Sequence, residues 1–269
     1  MCSFLYVMMK SGTRIRLRYP IAAVILAAVV GLIVYASGGL DALYAYVVNG
    51  WNRMGDMILS LDMWMLILGG LKNTVVIFIF AAIVSVFLGA LLAYMSVSHK
   101  WPWVYKPLRW FVTTVNDIPP VALMMFFYYV IFAGEMNGIM VSVIALGVYT
   151  SASMSRVLTV HILQVDRGQI EAGRALGMTT AQCYRYIVLP QAVKSMLPIF
   201  TGNLKQLLRA TSYAGYIAQD DLIRAVAAIR NQYDGAFLPL IIVSILYLIL
   251  AWMITRLIQF LYIKLFRHD

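Results

Sequence analysis

Long apolar runs separated by short polar segments organise the chain. Runs over 20–36, 70–97, 111–133, 138–160, 196–214 and 237–262 each come near the roughly 17–25 residues a helix needs to cross hydrocarbon. Their hydrophobicity is continuous and lacks the strict alternation of barrel strands. Backbone polar groups in lipid must pair within their own segment, so the pattern predicts about six transmembrane helices. The first run is the marginal one in length.

A polar, basic stretch interrupts this pattern between the fourth and fifth runs, EAGRALGMTTAQCYRYIVLP at 171–190. Its spacing predicts two short helices meeting at a turn. Asp166 with Gln169, and Thr179 with Gln182, are placed as capping boxes. Gly177 suits a left-handed residue closing the first helix, and Pro190 limits the second. Ala172, Gly173 and Ala175 carry little bulk, so the first helix can approach another surface closely. Taken alone, a basic helix-turn-helix is equally a nucleic-acid reader or a solvated loop.

Glu171-Ala172-Gly173, then Gly177 after three residues and Ile187-Val188-Leu189-Pro190 after nine more, resembles the cytoplasmic signature of permease subunits of binding-protein-dependent ABC importers. Gly173 stands where that signature more commonly has Ala. Gly70-Leu71-Lys72-Asn73-Thr74, Gly168-Gln169, Leu189-Pro190-Gln191-Ala192 and Leu207-Leu208-Arg209-Ala210-Thr211-Ser212 resemble the polar amino-acid branch. Two departures stand out. Ala210 replaces the branch's usual Asp, and Asn116-Asp117-Ile118-Pro119 replaces its Arg-Gly-Thr-Pro. The likeness spans 65–262.

The resemblance implies an all-α integral membrane fold of the type I ABC importer permease kind, with a cytoplasmic coupling loop between spans four and five. It implies cytoplasmic ABC ATPase subunits as partners, a second permease subunit (a copy or a relative), an extracytoplasmic solute-binding protein and a polar amino acid as cargo. The coupling residues it marks are Glu171, Ala172, Gly173, Gly177, Ile187, Leu189 and Pro190. Glu171 is expected to cap or ion-pair at the docking surface, Gly177 to permit the bend, and Ile187 and Leu189 to pack the loop onto its spans. For Leu189 and Pro190, ordinary packing and helix termination are sufficient explanations.

Composition agrees with a bilayer setting: 62% of residues are hydrophobic and 12% charged, with mean hydropathy +0.83, more apolar surface than a soluble globule hides. With the polar loop inside, the inner segments collect fifteen Lys and Arg, among them Lys106, Arg109, Arg156 and Arg174, against Arg53, Arg224 and Arg230 outside. This positive-inside asymmetry predicts cytoplasmic termini. The net charge of +10 therefore needs no nucleic acid, and its basic flanks suit anionic lipid head groups. The expected location is a bacterial or archaeal cell membrane, the inner one in a Gram-negative cell.

The expected organisation is a basic leader, first span and extracytoplasmic loop over 1–64, followed by a permease core over 65–269. The leader with Ile21–Val34 and Val34-Tyr35-Ala36 also fits a cleaved secretory signal. A retained span is favoured by its long basic flank, and cleavage leaves five spans with the same orientation.

Candidate chemistry is sparse. Cys2 and Cys183 fall on the predicted inner side, and His99, His161 and His268 have no ligand spacing, so no disulfide, metal site or cofactor is expected. No Gly-x-x-x-x-Gly-Lys-Ser/Thr phosphate loop occurs in the sequence, so ATP hydrolysis is assigned to a separate subunit. On the fifth span, Thr201, Lys205, Arg209 and Ser212 fall within an arc of about 80°. A charge at the bilayer centre costs about 2.5–3.5 kcal/mol or more, so this face should meet a cavity or protein.

Arg209 suits a substrate carboxylate; the alternatives are a buried pair with an acid, or Lys205 reaching to an interface. The loss of Asp at 210 favours an acidic or neutral cargo. Asp220 to Ala225 reads as a short, solvent-exposed amphipathic helix open to a binding protein. Two other classes compete, an ion-gradient-driven secondary transporter and a non-transporting membrane assembly protein that borrowed the docking loop.

Overall fold

The fold is that of a computed structural model, which describes residues 28–32, 34–36, 38–98, 102–233 and 237–266. Within the first predicted span, 28–32 and 34–36 are helical, and 20–27 lie outside the described residues, as do Cys2, His99 and His268. The chain divides into two compact units, residues 1–59 and 60–269.

In the first unit, Gly38 and Gly39 adopt φ of +88° and +94°. Their amides return to Tyr35 and Val34 carbonyls at 3.2 and 3.0 Å, a Schellman closure that ends the preceding helix. Helix α1, Leu40–Leu59, follows. The segment holding Trp51, Arg53 and Asp56, expected as a loop, is thus helical. Leu40, Leu43, Tyr44, Val47 and Val48 recur at helical spacing and account for it.

The second unit begins with α2, Leu61–Ser98, the longest helix. It lies against α5, Gly138–Leu163. Both helices carry small residues at the crossing. A Cβ on Gly89 would stand 2.7 Å from Met154 Cβ, and one on Gly147 would stand 2.6 Å from a Val84 methyl. Close backbone approach of this kind substitutes for the hydrophobic drive that lipid removes.

Between α2 and α5 the predicted third span is broken. Helix α3, Pro102–Asp117, meets α4, Pro120–Phe126, at 114°. Pro119 takes an extended conformation as N-cap, with Pro120 in the first turn of α4. Consecutive prolines exclude helix before them and suit the start of the next. A π segment, Phe127–Ile131, extends α4.

After α5 come α6, Arg167–Ala175; α7, Thr180–Cys183, prolonged by a π segment, Tyr184–Val188; and α8, Leu189–Ala210. A 3-10 segment, Thr211–Ile217, leads to α9, Leu222–Tyr233, and α10, Phe237–Phe266. The core joins α2, α4, α5 and α8 through Ile77, Leu123, Met124, Leu146 and Leu207.

Among the described residues, three helices are long and apolar enough to cross a bilayer, Leu61–Ser98, Gly138–Leu163 and Phe237–Lys264, or four if the bent α3–α4 pair is a single span. The fifth predicted span, 196–214, falls short of that test because α8 is amphipathic, with Lys194, Lys205 and Arg209 on its surface. Its polar face needs protein or water, not lipid.

Candidate functional site

The elbow at 166–188 is built from local rules. Asp166 Oδ1 accepts the Gly168 amide at 2.9 Å. Gln169 does not complete a box; its Oε1 accepts from Gln191 Nε2 at 2.6 Å, on α8. Gly177 has φ +84°. Its amide donates to the Arg174 carbonyl, and that of Met178 to Gly173, at 3.0 and 3.1 Å, again a Schellman closure. Thr179 and Gln182 form the reciprocal capping box, and Arg174 Nη2 donates to Thr180 Oγ1 at 2.8 Å, tying the two helices together.

Gly173 works inside the elbow. A Cβ there would lie 2.9 Å from Ile187 Cδ1 and 3.0 Å from Cys183 Sγ, so its small size serves α6–α7 packing and not an outer surface. Ile187 packs inward, against Gly173 of the elbow. Leu189 does not: it is 40% exposed, while Val188 is 1% exposed and packs with Ile162 and Ala192. The cause is the π turn, in which the Leu189 amide bonds the Tyr184 carbonyl five residues back. One extra residue in the turn rotates the face that points inward.

Pro190 likewise does not end the second helix. It follows directly on the π turn, at the second residue of α8, and helical backbone runs from Thr180 to Ala210. Rooted this way, the elbow holds Glu171, Ala172, Ala175 and Gly177 exposed. Leu176, which the sequence reading passed over, is 85% exposed at the tip.

The polar face of α8 is split. Arg209 lines a cavity of about 180 Å³ with Tyr149, Ser153, Asn203, Gln206 and Tyr213. Among the described residues, no acid lines it. Thr201 belongs instead to a groove between α8 and α10, with Thr255 and Gln259. Lys205 is half-buried and lines neither. Ser212 lies past the end of α8, in the 3-10 segment, where Oγ donates to the Arg209 carbonyl at 2.7 Å. At three residues per turn the 100° arc no longer applies there. Asn203, Gln206 and Arg209, spaced by threes, were the available signal for the cavity.

The Gly70–Thr74 motif seats the segment before α9. A Cβ on Gly70 would lie 2.6 Å from the Asp221 carbonyl oxygen. Asn73 Nδ2 donates to the Asp220 carbonyl at 2.7 Å, and the Leu222 amide donates to Thr74 Oγ1 at 3.3 Å. Asp220 pairs with Arg224 at 2.9 Å, as the exposed-helix reading expected. Asp221 departs from it: the residue is fully buried, with Oδ1 accepting the Arg224 amide at 2.7 Å and Oδ2 unpartnered among the described residues. Burial pushes its carboxyl up to about 6.

Against known proteins, residues 85–264 match the family described as binding-protein-dependent transport system inner membrane component. The match reaches far beyond the elbow. The chain is 29% identical over 196 residues to the probable glutamine ABC transporter permease protein GlnM of Bacillus subtilis, covering 71% of this chain and 88% of that protein. It is 26% identical over 210 residues to the glutamate/aspartate import permease protein GltK of Escherichia coli, covering 72% and 91%.

Among solved structures, a chain of an amino acid ABC transporter with histidines superposes with TM-score 0.65 at 26% identity, covering 74% of this chain and 94% of that one. A chain of the inward-facing MetNI methionine ABC transporter gives 0.64 at 20% identity, covering 77% and 99%; that likeness speaks to the fold alone. An all-helical membrane fold with a capped elbow, matched over two thirds of its length, makes this chain a member of the binding-protein-dependent transport system inner membrane components, a multi-pass transporter permease.

Proposed function

We propose that this permease is the membrane-embedded half of an ATP-driven amino-acid importer, coupled through its elbow to a separate ATPase. The observation that carries the reading is the elbow itself: a short helix led by exposed Glu171, closed at left-handed Gly177, with Leu176 held outward on a packed base. An apolar tip on a rigid polar mount is suited to anchoring in a partner's pocket.

In this reading Glu171, Ala172, Gly177 and Leu176 meet or shape the ATPase contact. Gly173 and Ile187 hold the two elbow helices together, and Leu189 and Pro190 join them to α8. The elbow and both termini are cytoplasmic, in line with the Lys and Arg asymmetry. Two permease subunits form the path, and a solute-binding protein delivers cargo from outside. Residues 1–64 form a leader, first span and outer loop beside a core at 65–269.

The cargo is a polar amino acid, in keeping with what GlnM and GltK are named for. Arg209, with Asn203 and Gln206 beside it, would clamp its carboxylate. Without an acid in that cavity, the reading favours acidic or neutral cargo over arginine. Thr201, Lys205 and Ser212, the other path candidates on this segment, lie outside the Arg209 cavity.

The test is solute-stimulated ATP hydrolysis by the reconstituted complex across an amino-acid panel. Glutamate or glutamine should stimulate, and Gly177→Asp should abolish stimulation while the chain stays in the membrane. Undiminished stimulation in that variant refutes elbow coupling. Arginine preference lost on Arg209→Gln refutes the cargo assignment.

A further inference from the structure

Arg109 on α3 and Arg156 on α5 line one cavity of about 440 Å³, which shares no lining residue with the one that holds Arg209. Each guanidinium is oriented by neutral groups. Arg109 Nη1 donates to Tyr105 Oη at 2.7 Å, and that hydroxyl donates to Ser96 Oγ at 2.7 Å. Arg156 Nη2 donates to Asn116 Oδ1 at 3.3 Å, while Asn116 Nδ2 is fixed on the Tyr149 carbonyl at 2.9 Å. Among the described residues, no acid lines the cavity. Two positioned cations therefore share a cleft without an internal counter-charge, which favours an anion.

The remaining walls define what kind. Leu92, Val97, Val112, Val160 and Leu163 line the same cavity. An adjoining groove of about 400 Å³ shares Tyr105, Arg109 and Thr113 and adds Lys106 and Trp110. Trp103 and Trp110 project from α3, 91% and 68% exposed, as aromatic residues do at the level of lipid head groups. Two arginines and aliphatic side chains in one lining, with Trp110 in the adjoining groove, match an amphiphile. A polar amino acid would leave the aliphatic wall unused.

We infer that this cleft binds an anionic phospholipid, its phosphate between Arg109 and Arg156 and an acyl chain against Leu92 and Val112. The bent α3–α4 pair shapes the site, because Asn116, which fixes Arg156, stands at the bend. Placement in the cytoplasmic leaflet rests on the orientation proposed above; lipid binding itself does not. Labelling of Leu176→Cys from the cytoplasmic side tests the former without touching the latter.

The experiment titrates the purified full-length chain in neutral detergent with short-chain phosphatidylglycerol, phosphatidylcholine, inorganic phosphate and glutamate, following thermal melting and lipid retention by native mass spectrometry. Phosphatidylglycerol should be retained and raise the melting temperature, with the other three inert. Arg109→Gln with Arg156→Gln should weaken that binding by about 30-fold, and Arg256→Gln, a charge loss on α10, should not. Should the double variant fail to accumulate, Arg156→Gln alone carries the test through its single long bond. Equal binding by the variant, an equal loss with Arg256→Gln, or comparable binding of phosphatidylcholine, phosphate or glutamate each overturns the proposal.

Discussion

Gly70 and Asp221 meet backbone to backbone: a Cβ at position 70 would lie 2.6 Å from the Asp221 carbonyl oxygen and 2.8 Å from its carbon. Backbone cannot swing aside as a side-chain end can, so Gly70→Ala must push α9 away from α2. A loss of about 1–3 kcal/mol is expected, read as a lower melting temperature of the purified chain. Gly69→Ala, with nothing within 4 Å, is the matched control and should be nearly neutral. Equal melting of the two variants contradicts the contact.

Asp221 gives the same seat a pH dependence. Its carboxyl titrates at about 6 when folded against an ordinary 3.8, so between those values the folded chain holds a proton the unfolded chain has released. Stability should therefore fall as pH rises from about 4 to 6 and level off above, by up to about 3 kcal/mol. Asp221→Asn keeps an oxygen for the Arg224 amide and removes the charge. Melts from pH 4 to 7 should lose that slope in the variant; a slope that persists assigns it elsewhere.

Leu176→Glu tests the elbow tip without disturbing its fold, since the side chain is open to solvent. Membrane insertion and melting should be unchanged, and solute-stimulated ATP hydrolysis of the complex should drop about tenfold or more, the scale of one interface anchor. Normal stimulation removes Leu176 from the contact.

Gly173→Ala meets first the Ile187 methyl, Cys183 sulfur and Met178 sulfur, side-chain atoms and not backbone. It should cost about 1 kcal/mol or less, and Gly173→Val markedly more. Pairing Gly173→Ala with Ile187→Val should recover the difference, measured as a double-mutant cycle of melting temperatures. Additive losses would place the strain elsewhere.

What was readable in the sequence was what a few neighbouring residues decide. The Thr179–Gln182 box, the Asp166 cap and the left-handed Gly177 each depend on partners within a few positions, and each appears as expected. Gln169 was misread because its partner, Gln191, is 22 positions away. Leu189 and Ser212 were misplaced because a π turn and a 3-10 segment changed the residues per turn that the periodicity argument assumed. Burial of Asp221 depends on Gly70, Asn73 and Thr74 far upstream, a meeting that tertiary packing alone creates.

The unbroken backbone from Thr180 to Ala210 has a mechanical corollary. At about 1.5 Å per residue it spans roughly 45 Å, with the elbow at one end, Arg209 at the other, and the π turn, Pro190 and Pro198 along the way. A swing of about 5° at the near end carries the far end through roughly 4 Å, about the width of a small polar side chain. In the proposed coupling, force received at the elbow would travel along this path to the polar cavity, with the π turn and Pro198 as the points where it can bend.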